Sequence, residues 1–292
     1  PWVVSILGHG VGVFAPGRVS KSEPYLVAHH LILAHAETVK VFRDNYKREG
    51  AKIGMSNNCD WREPLTNKNE DIEAAQRSLE FFLGWFADPI YLGDYPKVMK
   101  KRLGNRLPEF TLEEKKLIKG SSDFFGLNHY TTMYASHDIT VGGQSVYGNG
   151  GISEDQSVAL SVSPDWKFSE MNWAVAPWGL RKLLNWIKER YANPDVYITE
   201  NGYANKDSVI NGEIDDQNRL EYHSGYIEAC SDSIGDGVSL KGYFAWSFMD
   251  NFEWAQGFSK RFGLYYVDFD SLDRVPKNSA KWYSAFIKKA KI

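Results

Sequence analysis

Two cysteines, Cys59 and Cys230, are too few for a disulfide framework, and the expectation is a pair of free thiols. No apolar run approaches the roughly 20 residues needed to cross a bilayer as a helix. Neither sign of charge is in excess: 34 Lys and Arg stand against 37 Asp and Glu, for a net charge of −3. That balance argues against nucleic acid or an anionic membrane as partner. No Asn-x-Ser/Thr sequon occurs, which with the sparse cysteines tilts the expected location toward the cytoplasm while leaving it undetermined. Internal repeats, low-complexity tracts and an interdomain linker are also missing, so residues 1–292 are read as one domain. The chain opens on Pro1-Trp2-Val3-Val4, with neither an initiator Met nor a signal sequence, and a fragment or processed chain is expected.

Aromatic residues are plentiful: ten Trp, sixteen Tyr and sixteen Phe in 292 residues. Rings suit sugars, whose C–H faces are apolar and whose rims are polar, although a large core also holds aromatics. Trp61, Trp85, Trp178, Trp186 and Trp282 are assigned to the core.

The pattern alternates. Ser22, Glu23 and Pro24 start a helix that apolar spacing carries to about Tyr46. His29, His30 and His35 on it are read as core or hydrogen-bonding residues, because no H-E-x-x-H spacing suggests a metal. Short strands are expected at 52–56, 124–127, 196–199 and 240–248, each followed by a helix: 70–86, 177–191, 215–234 and 277–289. Pro89, Pro96 and Pro108 are expected to interrupt the chain after the first of these, and Thr111 with Glu114 forms a capping box. Residues 136–166 lack any period and read as a surface excursion near a site mouth. Four strand–helix units imply a parallel sheet, amounting to half of a (β/α)8 TIM barrel. A doubly wound open sheet is the alternative, but no Gly-rich phosphate loop follows the first strand. No cofactor and no metal are expected.

All four strands deliver polar or aromatic residues just past their ends. The third ends Ile198-Thr199-Glu200-Asn201-Gly202. A carboxylate at the C-terminal end of a barrel strand is a catalytic candidate; a helix cap or a turn acid is the plain alternative.

These segments resemble family 1 glycoside hydrolases, the β-glucosidase family, and most closely its animal and fungal members. Ile198–Gly202 is similar to that family's nucleophile motif. Trp246-Ser247-Phe248-Met249-Asp250-Asn251-Phe252-Glu253-Trp254, with Arg261-Phe262-Gly263-Leu264, resembles its glycone-binding segment. Phe125-Gly126-Leu127-Asn128-His129-Tyr130 resembles another block, with His129 where Tyr is usual. Pro1–Val4, Gly8 and Ala15–Gly17 resemble the stretch that begins at the proline of its Asn-Glu-Pro motif. The resemblance runs from residue 1 to 292.

The resemblance implies a (β/α)8 barrel, of which this chain supplies about the C-terminal half, and retaining hydrolysis of β-glycosides. Glu200 would be the nucleophile and Tyr130 the hydroxyl that orients it. Asn128, Trp173, Trp246, Glu253, Trp254 and Phe262 would bind substrate. Of these, Trp246 is the platform under the sugar ring, Glu253 the acceptor for its 4- and 6-hydroxyls, Phe262 the wall at the 6-position and Trp173 the aglycone-side ring. The acid/base Glu would lie immediately before Pro1. The implied partners are a β-glucoside or oligosaccharide substrate and either the N-terminal half of the barrel or a second copy. A non-catalytic carbohydrate-binding remnant and a self-associating half-barrel are the alternatives.

Overall fold

The computed structural model describes residues 1–138, 151–207 and 213–290. Helix α1 (Glu23–Asn45) precedes strands β1 (Met55–Asn58) and β2 (Trp61–Pro64). A helical run comes next: α2 (Asn69–Leu79), a wide turn at Glu80–Gly84, α3 (Trp85–Leu92), α4 (Lys97–Leu103) and α5 (Leu112–Ile118). Then come β3 (Phe125–Asn128), β4 (Thr132–His137), α6 (Ile152–Gln156), β5 (Val158–Ser161), β6 (Lys167–Phe168), β7 (Ala174–Val175) and α7 (Pro177–Arg190). The chain continues through β8 (Val196–Asn201), α8 (Gln217–Gly235), β9 (Leu240–Ala245), β10 (Tyr265–Val267), β11 (Arg274–Pro276) and α9 (Asn278–Ala290).

The four expected strands form one sheet in the order β1-β3-β8-β9, parallel throughout. Register aligns their C-terminal ends: Asn58 lies opposite Asn128, Asn128 opposite Glu200, and Asn201 opposite Ala245. Polar groups from three strands therefore share one edge of the sheet, as the strand–helix pattern implies. One core lies between the sheet and its helices, with Phe125, Leu127, Val196 and Ile198 against Leu180, Leu183, Leu184 and Ile187 of α7 and Tyr222 and Tyr226 of α8. A second joins α1 to α3, where Tyr25, Ile32, Trp85, Phe86 and Ile90 pack together.

Several boundaries differ from expectation. β1 begins at Met55 and runs through Asn57 and Asn58, and β8 includes Glu200 and Asn201, because pairing to β3 and β9 persists to the polar ends. β9 stops at Ala245 rather than Phe248. Past that point Ser247 N donates to Phe262 O, Leu264 N to Ser247 O and Tyr265 N to Phe248 O, so the chain leaves the sheet for its own return segment. Pro89 lies inside α3, beyond the wide turn that re-phases the helix, instead of breaking it. Within the expected excursion, β4 and β5 pair antiparallel and α6 stands just before β5; residues 139–150 of that excursion lie outside the described residues. Ser22 occupies the cap of α1, but the Ser20 hydroxyl accepts from the amides of Ser22 and Glu23. The Thr111–Glu114 capping box is formed in both directions. Of the five tryptophans assigned to the core only Trp85 is fully buried. Trp178 is 38% exposed, and Trp61, Trp186 and Trp282 are half-buried, the first two of these packing against the edge of the first core and Trp282 stacking on Phe286.

Lys277 does not start the closing helix; it precedes it and is buried. Its Nζ donates to Asp207 (2.5 Å) and Asp250 (2.8 Å). Arg219, equally buried, pairs with Asp207 at 3.0 Å and Asp216 at 2.5 Å, and Arg261 reaches Asp250 at 2.7 Å. Burial acts to raise the Asp207 pKa, but Arg219 and Lys277 together hold it below the usual carboxylate range. Asp250 also accepts from the Gly263 and Val267 amides, so this cluster clamps the segment that carries Glu253 and Phe262. Replacing Lys277 by Met leaves two buried carboxylates short of a cation. The expected loss of stability is roughly 3–5 kcal/mol, read from the urea midpoint at pH 7. An unchanged midpoint would show that the cluster contributes nothing to the stability of the fold.

Candidate active site

Glu200 stands half-buried at the end of β8. The Tyr130 hydroxyl donates to Glu200 Oε2 at 2.6 Å, and the Asn128 amide donates to the same carboxylate. Asn128 is in turn fixed by Thr199, whose Oγ1 donates to Asn128 Oδ1 at 2.5 Å while accepting from Ser56 Oγ at 3.1 Å. Burial raises the Glu200 pKa above the ordinary glutamate value, and the Tyr130 and Asn128 hydrogen bonds pull against that rise. The result is a desolvated carboxylate with its charge stabilised by two donors, the condition of an effective nucleophile. Asn128, expected among the sugar-binding residues, here bonds the carboxylate itself.

Three rings close one side. Trp173 and Tyr130 have centroids 5.1 Å apart, Trp173 and Phe262 6.0 Å, and Tyr130 and Phe262 6.2 Å, with Phe262 buried. On the other side Trp246 N donates to Asn201 O at 2.8 Å, which seats Trp246 directly after β9 and beside the end of β8. Gly202 is required there: a Cβ would meet the Trp246 carbonyl oxygen at 1.8 Å. Glu253 is buried and its side chain is hydrogen-bonded by Trp246. Burial raises its pKa, and the charge of Glu200 adds to the rise. Trp254 is 68% exposed and its ring stacks on Phe14 at 6.2 Å, joining the glycine-rich opening loop to the site. The site residues expected from the sequence therefore fall within one region at the C-terminal edge of the sheet.

Behind this surface lie residues to which the sequence reading assigned no role. Asn201, adjoining Glu200, is buried and donates to His129 O at 2.7 Å and to the Tyr222 hydroxyl at 3.0 Å. Tyr243 donates to Asn201 Oδ1 at 2.6 Å and is itself bonded to His223 Nδ1 at 2.8 Å. The alternation of inward and outward residues along β8 was the available signal, since Asn201 must point opposite to Glu200. Cys59 is buried, its thiol pushed up by burial, as an unreactive thiol requires. His29 bonds Tyr95 and His35 bonds the Ser121 carbonyl, whereas His30 is exposed. Among the described residues no cluster of three His, Cys, Asp or Glu is placed to hold a metal, and no helix is long and apolar enough to cross a membrane.

His129 and His223 are both buried, and burial lowers their pKa values to about 4 and about 3. In the unfolded chain each titrates near 6.5. A depressed histidine contributes stability that is complete above the unfolded value and is lost as pH falls toward the folded value. His29 and His35 are shifted in the same direction by burial. The urea midpoint should therefore be flat above pH 7 and fall between about pH 6.5 and 4. A midpoint that holds constant across that window would contradict the burial of these imidazoles in neutral form.

The description "Glycosyl hydrolase family 1" belongs to the family model that matches residues 1–292. The chain is 44% identical to beta-glucosidase 42 of Arabidopsis thaliana over 303 residues, covering 99% of this chain and 61% of that protein. It is 43% identical to beta-glucosidase 1B of Phanerodontia chrysosporium, covering 98% of this chain and 56% of that protein. Among solved structures, a mutant of a rice β-glucosidase in a covalent complex with Glc superposes with a TM-score of 0.89 at 42% identity, over 97% of this chain and 64% of that one. Beta-glucosidase 2 of Trichoderma reesei, in complex with Tris, gives 0.90 at 40% identity, over 100% and 64%. The chain thus spans about three fifths of the length of these relatives, which are plant and fungal rather than animal.

Proposed function

This chain belongs to glycosyl hydrolase family 1, and from that premise we propose that it carries the nucleophile and sugar-binding side of a retaining β-glycosidase of β-glucosidase type. The observation that carries this reading is the Glu200 carboxylate, desolvated at a strand end and held by Tyr130 and Asn128. In retaining hydrolysis two carboxyl groups about 5–5.5 Å apart flank the glycosidic bond. The Glu200 carboxylate attacks the anomeric carbon as the bond to the leaving oxygen breaks, and a second carboxylic acid gives that oxygen its proton. Water then displaces Glu200 from the sugar, yielding its own proton to the second group. Trp246 offers its ring to the C–H face of the sugar, and Glu253 accepts from peripheral hydroxyls, a charge-assisted contact with strong geometric demands. Glu253 would also repel a phosphorylated sugar, which makes neutral β-D-glucosyl units, and galactosyl or fucosyl units after them, the proposed substrates. Trp173 and Phe262 would line the entrance and the 6-position. As protein partner we propose further barrel units or a second copy, because β1 and β9 each have an edge unpaired among the described residues and Phe244 on β9 is exposed.

Dinitrophenyl 2-deoxy-2-fluoro-β-D-glucoside tests the assignment. Its leaving group needs no proton, and its fluorine slows breakdown of the covalent intermediate. A single glycosyl adduct on the peptide containing Glu200 is expected by mass spectrometry; an adduct on another carboxylate would overturn the reading.

Glu253→Ala should raise the barrier for dinitrophenyl glucoside and galactoside by about 2–4 kcal/mol, through loss of hydrogen bonds to a charged acceptor. Unchanged kcat/KM on both sugars would take Glu253 out of the site.

A further inference from the structure

We propose that a hydrogen-bond relay, His223–Tyr243–Asn201–Tyr222, positions the backbone of Tyr130 and thereby aims its hydroxyl at Glu200; these four are positioning residues for the reaction proposed above, on which the inference rests.

From His223 to Asn201 the relay admits one arrangement of protons. A backbone carbonyl only accepts, so the Asn201 amide nitrogen must face His129 O, at 2.7 Å. Asn201 Oδ1 therefore faces the Tyr243 hydroxyl, which must donate to it at 2.6 Å. The Tyr243 oxygen then accepts, so His223 carries its proton on Nδ1, 2.8 Å away, and its Nε2 has no hydrogen-bond partner among the described residues. In the other direction Asn201 donates to the Tyr222 hydroxyl at 3.0 Å, and Tyr222 donates to Tyr130 O at 2.9 Å. Tyr226 adds a longer bond to the same carbonyl at 3.4 Å. Asn201, Tyr222, Tyr226 and His223 are at most 3% exposed and Tyr243 is half-buried, so the bonds from Asn201 to His129 O and to Tyr222 are made in a medium of low dielectric constant.

The relay's target is what distinguishes it from ordinary core satisfaction. β3 ends at Asn128, and the sheet ladder no longer holds the carbonyls of His129 and Tyr130. The relay takes both, while His129 N donates to Glu200 O at 2.9 Å. The turn bearing Tyr130 is thus pinned on its buried side, and the Tyr130 hydroxyl returns to Glu200 Oε2 at 2.6 Å. The groups that face the Glu200 carboxylate are Tyr130 and Asn128 from the end of β3 and Glu253 from the segment after β9. Of these, Tyr130 is the donor whose main chain the relay holds.

The test is a titration of Glu200 in the 292-residue chain, by carbon-13 NMR of labelled glutamate side chains, with the Glu200 signal identified by its loss in Glu200→Gln. Tyr130→Phe should raise the Glu200 midpoint by about one to two pH units, the worth of a hydrogen bond to a charged group. Tyr222→Phe keeps the ring stacked on Tyr226 at 4.1 Å and removes only the hydroxyl. It should move the midpoint in the same direction by a smaller amount, and the double variant no further than Tyr130→Phe alone. A Glu200 midpoint unmoved by Tyr222→Phe, or shifts that add in full, would overturn the relay. Tyr243→Phe, which cuts the relay one step earlier, provides a second variant with the same expectation should Tyr222→Phe not fold. The pH dependence of labelling by the fluoroglucoside separates the two readings. A midpoint that responds in a protein never labelled at Glu200 would keep the positioning and sink the nucleophile. Labelling whose acidic limb ignores Tyr222→Phe would do the reverse.

Discussion

Glu200→Gln should reduce formation of the covalent glycosyl-enzyme by several orders of magnitude, measured with dinitrophenyl β-D-glucoside as the substrate. The amide matches the carboxylate in shape but lacks the negative charge that attacks the anomeric carbon, and no neighbouring group can generate it. KM should change little, since the proposed sugar contacts of Trp246 and Glu253 remain in place. A second variant separates chemistry from folding. Glu200→Gly opens space on the face that the carboxylate occupied, and azide, a small anionic nucleophile, should restore turnover while producing glucosyl azide of inverted configuration. Retained configuration, or a Glu200→Gln protein as fast as the parent, would show that another group does the work. The expected pH behaviour comes from the environment. Burial raises the Glu200 pKa, with Tyr130 and Asn128 opposing, so the rate with this substrate should climb as pH rises through a midpoint above the ordinary glutamate value and then level off.

How far the sequence alone could reach depended on what each feature rests on. The four strands and their helices were legible because short β-branched and aromatic runs alternate with 3.6-residue periodicity, and that alternation permits a parallel sheet and little else. Glu200 stood out because a charge at the end of an apolar run has no packing reason to be there. Its assignment as a nucleophile came from the resemblance of the surrounding motif, not from spacing. The ends of elements were less legible. β8 runs on through Glu200 and Asn201 because its ladder partners on both sides continue, and pairing is a property of the neighbours. β9 breaks at Ala245 because residues 262–265 compete for the backbone of residues 247 and 248, from far along the chain. Lys277 reads locally as a helix-start lysine; only the meeting of Asp207, Asp250 and Arg219 makes it a buried cation. Trp61 and Trp186 were misplaced for a related reason. Their indole N–H groups find Glu63 and Gln76 at the surface, so each ring sits at the boundary with one edge satisfied by a polar side chain. The role of Asn201 is not legible in the sequence, since its partners come from β9, α8 and the turn after β3 and from no residue near it in sequence.

Leaving-group dependence should be steep for residues 1–292. Retaining hydrolysis needs a second carboxyl group to protonate the departing oxygen, and the resemblance puts that group immediately before Pro1. Among the described residues Glu253 is a carboxylate whose pKa the charge of Glu200 raises, but it is already hydrogen-bonded by Trp246 and proposed to bind sugar hydroxyls. With no acid in place, a dinitrophenolate can still depart, because its oxygen is stable as an anion. A cellobiose or alkyl leaving group cannot, and general-acid help is worth roughly 10²–10⁴-fold. The chain should therefore release dinitrophenol slowly from its β-glucoside and leave cellobiose intact. Because β1 and β9 each have an unpaired edge among the described residues, a polypeptide limited to residues 1–292 should also run in solution as an assembly heavier than 33.2 kDa. Supplying the first four barrel units of a family member as a separate polypeptide should lower the apparent mass to that of a one-to-one complex and bring cellobiose cleavage with it. The complementing segment should fail when its own Glu before the Asn-Glu-Pro proline is changed to Gln, with dinitrophenyl glucoside still consumed. A monodisperse 33.2 kDa protein that cleaves cellobiose unaided would instead place the acid within this chain, and Glu253→Gln would then be the first variant to examine, since its burial-raised pKa is the property a general acid requires.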